Sequence, residues 1–543
     1  MVKTSNRSRT NTFLTLPEWL REWVDSPALL LWIVFGLGVF VRIVHVVIAD
    51  FPLNDGGLFY VMIQELRGNH YALPFYTSFN AQQIPFAYPP LSFYLAGLLA
   101  EAFQLPLIEV IRFLPPILSS LTIPAFYLLA KQIFEDEAMI FFGTMAFAFL
   151  PRSFIWLIMG GGLTRATGLV CAMLALGLLI AFFKNRNWAQ LFFSALFAGL
   201  TLLSHPEAAL FTAIGAIVIV INYRRNWFEL KYLFFMGVIA VSLAAPWLII
   251  TIYRHGVSPL SSAFSSTATS SVNRLLLPLL TILRFNFAEE AGLTMLSVFG
   301  LLGLFRCLKD RQFFIPMWLF AVLLIYTRGT PTYATIPLAL LAAYGFVKVV
   351  LRGLSAETGP QFDNKFWIHE LFQNSALKLF FGFVLILTLS SAFIYPFVDR
   401  VNSPLVSLAQ GEVEAMRWIS SETRVDGKFI ILSGRSWWSD PTSEWFPVLA
   451  GRESLSTVQG YEWLPGQRFH RQWFMNEELQ SCIQKGVECV QEWAAEYSFN
   501  IEYVFLPKTS STQLILNNFF ANSRFELAFE NTDAVIFYNA ELK

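Results

Sequence analysis

Apolar runs of roughly 20 residues recur along the first four hundred positions, about the length a helix needs to cross a bilayer's hydrocarbon core. They fall at about 28–49, 109–130, 138–154, 163–183, 188–203, 207–222, 230–253, 291–305, 312–327, 332–350 and 376–397, which predicts about eleven crossings. One further apolar stretch, Pro89 to Phe103, opens on Pro89-Pro90 and is only about fifteen residues long. That length suits an interfacial or re-entrant helix, and leaving it out of the count puts the two chain ends on opposite sides.

The connecting segments separate by charge. Lys3, Arg7, Arg9, Arg21, Lys131, Lys184, Arg186, Arg224, Arg225, Arg306, Lys309, Arg311, Lys348, Arg352, Lys365 and Lys378 all fall on one side of the predicted spans. The other side holds fewer basic residues, mainly Arg67, Arg152, Arg165, Arg254, Arg274, Arg284 and Arg328. Positive-inside logic makes the first side cytoplasmic. Residues 1–27 then form a cytoplasmic segment, and so long a polar stretch before the first apolar run does not read as a cleavable signal peptide. The expected organisation is a polytopic α-helical membrane domain over 28–397, with an exterior loop at 50–108, followed by a soluble extracytoplasmic domain over 398–543.

That last domain changes pattern to α/β. Residues 411–423 have helical spacing (Val413, Met416, Ile419), Lys428 to Ser433 reads as a buried strand, and Tyr503 to Leu506 and Ala534 to Tyr538 read as two more. Helical stretches near 474–497 and 511–520 lie between them, and no internal repeat stands out.

Composition agrees with a membrane setting. Of 543 residues only 14% are charged, and the mean hydropathy is +0.53, against about 25% charged in soluble domains. The net charge of zero hides an acidic tail: residues 398–543 carry 12 Lys+Arg and 19 Asp+Glu. Outside the spans no basic stripe with interleaved aromatics occurs, so nucleic acid is not an expected partner. Cys171 and Cys307 fall in or beside apolar helices and read as packing thiols. Cys482 and Cys489 lie in the tail, where a disulfide suits an oxidising compartment and free thiols a reducing one.

Candidate chemistry concentrates in the exterior segments. Asp55 precedes Gly56-Gly57 and a short helix with an apolar face of Leu58, Phe59, Met62, Ile63 and Leu66, which places it near the bilayer surface. It reads either as that helix's N-cap or as a catalytic carboxylate. Gly160-Gly161-Gly162 before Arg165 offers backbone N–H groups at a helix start, suited to an anion, or is simply a turn with a snorkelling arginine. Arg328 is a phosphate ligand or an interfacial anchor. His205 and Glu207, in a short Pro-broken turn, orient an acceptor or cap a helix. Glu289 and Glu290 carry a weaker signal. In the tail, Trp437-Trp438-Ser439-Asp440, Glu444-Trp445-Phe446 and Tyr461-Glu462-Trp463 combine flat rings with carboxylates, as a saccharide groove does and as a Trp-rich core also does.

An acidic residue just beyond the first span, an interfacial helix bearing aromatics and then Tyr88-Pro89-Pro90-Leu91 resemble the start of the GT-C membrane glycosyltransferases, which include protein O-mannosyltransferases and the lipid A aminoarabinose transferase. Ile111-Arg112-Phe113-Leu114-Pro115 and Leu129-Ala130-Lys131-Gln132-Ile133-Phe134 extend the similarity, which covers about 28–190 at motif level and the rest as architecture. The resemblance implies inverting transfer of a sugar from a polyprenyl-phosphate carrier to a saccharide, lipid or protein acceptor on the exterior face. It implies Asp55 as the catalytic carboxylate and a lipid-phosphate ligand at Arg328. The residues themselves put Arg165, Gly161 and Gly162 beside the donor phosphate, and His205, Glu207, Trp438 and Glu444, with Tyr88 of the matching Tyr-Pro-Pro-Leu segment, at the acceptor or in support. Many relatives have Asp-Glu where this chain has Asp55-Gly56, and often another acid in the next exterior loop. A divalent metal site is therefore in doubt, and no other cofactor is implied. Two competing expectations are a transporter or flippase for a lipid-linked saccharide and a non-catalytic subunit on the same fold.

Overall fold

The computed structural model describes residues 27–267, 295–355, 375–398 and 403–542. Of the residues named above, Lys3, Arg7, Arg9, Arg21, Arg274, Arg284, Glu289, Glu290 and Lys365 lie outside the described residues.

The helices of the N-terminal part are α1 (Pro27–Ile48), α2 (Gly57–Gly68), α3 (Leu91–Ala102), α4 (Leu107–Ile133), α5 (Glu137–Phe149), α6 (Gly162–Asn185), α7 (Trp188–Leu202), α8 (Pro206–Tyr223), α9 (Lys231–His255), α10 (Ser258–Thr267), α11 (Met295–Lys309), α12 (Phe314–Leu324), α13 (Thr330–Gly345) and α14 (Ser375–Val398). Among the described residues six helices are long and apolar enough to cross a membrane, or seven if α5 and the 80° bend into Pro151–Leu157 count as one span. Several of the eleven predicted runs form shorter apolar helices instead: α7 has 15 residues and α12 has 11. The Pro89–Phe103 stretch folds as the 12-residue α3 and is too short to cross. Large apolar side chains such as Trp32, Phe234, Ile249 and Leu324 are exposed on these helices, which is how a lipid-facing surface looks when drawn in water.

The loops sort by end. α6 starts at Gly162, beside Asp55, and its 24 residues carry the chain about 36 Å away. At that far end Arg186 pairs with Glu229 at 2.8 Å, and Asp136 with Lys348 at 3.4 Å. At the near end Arg254 donates to the carbonyls of Leu73 and Pro74 at 2.7 and 3.0 Å.

Residues 403–542 form an α/β domain with helices α15 (Gln410–Glu422), α16 (Pro441–Ala450), α17 (Arg468–Ser481), α18 (Val487–Glu496) and α19 (Gln513–Ala521). Two short strands in the first loop, β1 (Tyr76–Thr77) and β2 (Ile84–Pro85), pair with each other. The domain's own sheet comprises β3 (Lys428–Ile431), β4 (Glu453–Ser454), β5 (Tyr503–Pro507), β6 (Phe525–Glu530) and β7 (Ala534–Asn539), in the order β4-β3-β5-β7-β6. β3 runs parallel to β4 and β5, while β7 is antiparallel to β5 and β6. The three predicted strands are its centre. The predicted helix at 474–497 is two, α17 and α18, joined by a disulfide between Cys482 and Cys489, whose Cα atoms are 5.4 Å apart. Cys171 and Cys307 are free and buried.

One expectation about the first loop changes. The apolar face of α2 is buried, as its spacing implied, but its cover is protein rather than lipid. Leu58, Phe59, Met62, Ile63 and Leu66 share one core with Phe93 of α3 and with Trp445, Phe446 and Phe505 of the α/β domain. The first loop is thus a platform on which the C-terminal domain sits, and both occupy the same end of the helical bundle.

Candidate active site

Asp55 stands where platform, bundle and domain meet. The helix after it, α2, has Gly56 as N-cap and receives no side-chain cap from within its own segment. The N-cap reading for α2 is therefore overturned, because the Asp55 carboxylate points the other way. Its Oδ1 accepts the Gly161 N–H at 2.8 Å, and its Oδ2 accepts from Arg165 Nη2 at 3.0 Å. Gly161 is the N-cap of α6, so the carboxylate rests at that helix's positive end. The side chains of Arg165 and Asp55 keep 30% and 21% exposure, and both line one cavity.

The glycines are explained by this contact. A Cβ at Gly161 would lie 2.3 Å from Asp55 Oδ2, and one at Gly160 would lie 2.0 Å from the Asp55 carbonyl oxygen. The turn's N–H groups are spent within the protein: Gly160 donates to Leu53 O, Gly161 to Asp55 and Gly162 to Met159 O. These N–H groups therefore do not face the cavity as open donors for a phosphate in this structure. The anion they accommodate is the Asp55 carboxylate itself.

The cavity encloses about 1110 Å³ between bundle and domain. Asp55, Tyr88, Gly161, Arg165, His205, Glu207, Arg328, Trp438 and Glu444 all line it; Gly162 does not, nor do Asp440, Trp445, Phe446 and Tyr461 of the tail motifs. Arg328 lies over the rings of Trp437 and Phe469, at 5.3 and 5.4 Å, so the α/β domain supplies the aromatic bed for a bundle arginine. Glu207 Oε1 accepts the Gly329 N–H at 3.2 Å, which ties the two loops that carry His205 and Arg328. His205 caps α8, its Nδ1 accepting the Ala208 N–H at 3.4 Å, and the same nitrogen faces the Tyr333 hydroxyl at 3.4 Å. Tyr88 is bonded to Thr164 Oγ1 at 3.0 Å, and burial pushes its hydroxyl up to about 12.

The tail residues divide. Trp438 packs its ring 5.9 Å from Trp156 and remains on the cavity wall, as do Trp437, Glu462 and Trp463. Trp445 and Phe446 are fully buried core. Asp440 caps α16 through the Ser443 N–H at 3.2 Å and accepts from Ser433 Oγ at 2.7 Å, and burial raises its carboxyl to about 6. Glu444 is not free to bind a sugar with both oxygens, because Oε1 accepts the N–H groups of Leu58 and Gly56 at 3.1 and 3.4 Å. Burial first, and then the charge of Asp55, raise its carboxyl to about 8.

Sequence reasoning missed Trp156, whose ring lies 5.6 Å from the Arg152 guanidinium and 5.7 Å from that of Arg165. It sits in an apolar run where only its distance from Arg152 and Arg165 hinted at a shared surface. Among the described residues the carboxylates nearest Asp55 are not arranged around a divalent metal. The partners of Asp55 are a guanidinium and a backbone N–H, both donors, and Glu207 and Glu444 are each fastened to backbone N–H groups. Among the described residues no group of three or more His, Cys, Asp or Glu could hold a metal ion.

Comparison with known proteins points the same way as this geometry. A family model described as dolichyl-phosphate-mannose-protein mannosyltransferase matches residues 87–250, a span that holds Tyr88, Arg165, His205 and Glu207 but neither Asp55 nor Arg328. No curated protein matches the chain in sequence. Among solved structures, the archaeal oligosaccharyltransferase AglB from Archaeoglobus fulgidus, in complex with an inhibitory peptide and a dolichol-phosphate, aligns with TM-score 0.53 and 16% identity over 90% of this chain and 70% of its own. ArnT from Cupriavidus metallidurans, bound to undecaprenyl phosphate, aligns with TM-score 0.51 and 12% identity over 97% and 99%. The arabinofuranosyltransferase AftD from Mycobacteria aligns with TM-score 0.50 and 13% identity over 94% and 40%. The chain has the fold of the GT-C membrane glycosyltransferases, and its apolar helices are those of a multi-pass membrane protein.

Proposed function

We propose that this protein transfers a sugar from a polyprenyl-phosphate carrier to an acceptor on the extracytoplasmic face, with inversion. The single observation that carries the reading is the Asp55–Arg165 pair inside a cavity that also holds Arg328. In the proposed step the acceptor hydroxyl attacks the anomeric carbon and gives its proton to Asp55, and the bond from that carbon to the phosphate oxygen breaks. The lipid phosphate leaves with the bonding pair. Each Asp55 oxygen makes one hydrogen bond and keeps a second lone pair for that proton. Arg165 and Arg328 supply cationic donors for the departing phosphate, the work a metal does elsewhere. AglB and ArnT, solved with dolichol-phosphate and undecaprenyl phosphate, support a polyprenyl phosphate as the carrier.

Orientation is supported by the charge at the bundle's far end, where Lys131, Lys184, Arg186, Arg224 and Arg225 gather, as positive-inside logic requires of a cytoplasmic face. The C-terminal domain and Asp55 would then both be extracytoplasmic. The test is sugar transfer by purified protein in detergent, from a panel of polyprenyl-phosphate sugars to the lipids and glycans of the source membrane. Release of polyprenyl phosphate coupled to a glycosylated product supports the reading, and wild-type protein that binds no polyprenyl phosphate and transfers nothing defeats it.

A further inference from the structure

The five residues that carry Asp55 are held by a part of the chain almost four hundred positions away. Asn54 N–H donates to Val406 O at 2.7 Å, Asn54 Nδ2 to Trp438 O at 3.0 Å, and Trp445 Nε1 to Asn54 O at 3.0 Å. Beyond Asp55, Gly56, Gly57 and Leu58 meet Glu444. Its Oε1 takes the Leu58 N–H at 3.1 Å and the Gly56 N–H at 3.4 Å, two of the orphan donors at the start of α2. A Cβ at Gly57 would lie 2.6 Å from the Glu444 carbonyl oxygen, so helix and domain touch backbone to backbone there. Gly56 itself has φ 123°, a conformation open to glycine and strained for other residues.

An acidic or amide side chain at the N-cap normally supplies this bond locally. Here the N-cap is Gly56, which has no side chain, and the residue before it, Asp55, is engaged with Gly161 and Arg165. We infer that Glu444 is a positioning residue for Asp55: it caps α2 from the C-terminal domain and so fixes the backbone from which the Asp55 carboxylate reaches the cavity. The turnover part of this inference rests on the proposed transfer reaction, while the capping part does not. Because the capping atom is an acceptor oxygen, charge is not required of it. A neutral carboxyl or a carboxamide offers the same oxygen in the same place, which sets Glu444→Gln apart from Glu444→Ala.

The experiment compares wild type, Glu444→Gln, Glu444→Ala and Gly57→Ala as full chains in detergent. Amide hydrogen exchange is followed for peptides spanning 54–62, with β3 and β5 peptides as the control for an intact domain. Exchange at 54–62 should speed up in Glu444→Ala and Gly57→Ala and stay near wild type in Glu444→Gln, with the control peptides unchanged in all four. Gly57→Ala perturbs the same contact without touching the carboxyl, so it answers if Glu444→Ala fails to fold. In turnover, Glu444→Ala should lose up to about 100-fold in kcat with donor KM little changed, since a misplacement of about 1 Å costs that much, and Glu444→Gln should recover most of it. Wild-type exchange at 54–62 in both alanine variants overturns the inference, as does a Glu444→Gln variant no better than Glu444→Ala. If wild type transfers no sugar, the proposed function fails, and the exchange measurement still decides whether Glu444 holds this segment.

Discussion

Replacing Asp55 by Asn separates catalysis from structure less cleanly than its near-identical volume suggests, and the geometry says by how much. Both partners of the carboxylate are donors, Gly161 N–H at 2.8 Å and Arg165 Nη2 at 3.0 Å. A carboxamide has one acceptor oxygen. If that oxygen keeps Gly161, the amide nitrogen faces the guanidinium donor to donor, and a flip only exchanges which bond is lost. One broken bond to a half-buried group costs about 1–3 kcal/mol, and the partly screened ion pair adds about 1 kcal/mol or less. Melting temperature should therefore fall measurably while the protein stays folded. Loss of a general base costs about 10²- to 10⁴-fold, or roughly 3–5.5 kcal/mol of barrier. The assay is sugar transfer from a lipid-linked donor with kcat and donor KM determined separately, alongside thermal melting. The base reading predicts the loss in kcat. Turnover within about threefold of wild type refutes it, and a loss confined to KM makes Asp55 a tether for Arg165 instead.

Other outcomes follow from the same site. Arg328→Ala should weaken binding of polyprenyl phosphate more than Arg328→Lys, because lysine keeps the charge but loses the planar fork that lies over Trp437 and Phe469; thermal shift with the lipid reads it, and equal affinity in wild type and Arg328→Ala removes the residue from the site. A reporter active only outside the cytoplasm, fused after Lys543, should be active, and a cytoplasmic signal inverts the orientation. Glu444 ties stability to pH. Its carboxyl rises from 4.5 to about 8 on folding, so between those values the unfolded chain sheds a proton that the native state keeps, and stability falls by about 1.4 kcal/mol per pH unit at most. Glu444→Gln lacks that slope. Its melting temperature relative to wild type should climb from pH 5 to pH 8 and level off above; a constant difference across that range would show Glu444 ionised in the folded protein.

Local pattern carried much of this architecture and stopped where long-range contacts begin. The apolar face of α2 was legible from its helical spacing, and β3, β5 and β7 from short, nearly continuous apolar runs. β6 was not: it is an edge strand with a mostly exposed pattern, and β4 is two residues long. Asp55, Arg165 and Arg328 could be singled out as charges flanking apolar runs, and the cavity brings them together. What no local rule could give is the pairing. The Gly160–Gly162 turn reads as an anion site and is one, yet its anion comes from residue 55 rather than from a ligand. The Glu444-Trp445-Phe446 motif reads as one surface, but Trp445 and Phe446 point into the core while Glu444 reaches α2.

The distance along the chain between Gly56 and Glu444, 388 positions, has a consequence for how the protein is made. At about 5–20 residues per second, Glu444 leaves the ribosome some 20–80 s after Asp55 does. During that interval the membrane helices can insert and the Asp55–Arg165 contact can form, but Asn54 and the start of α2 still lack their partners from the C-terminal domain. A chain stopped before that domain folds carries the charged pair in an open, unbraced loop. The bracing of the Asp55 segment is thus complete only once the C-terminal domain has been made and folded.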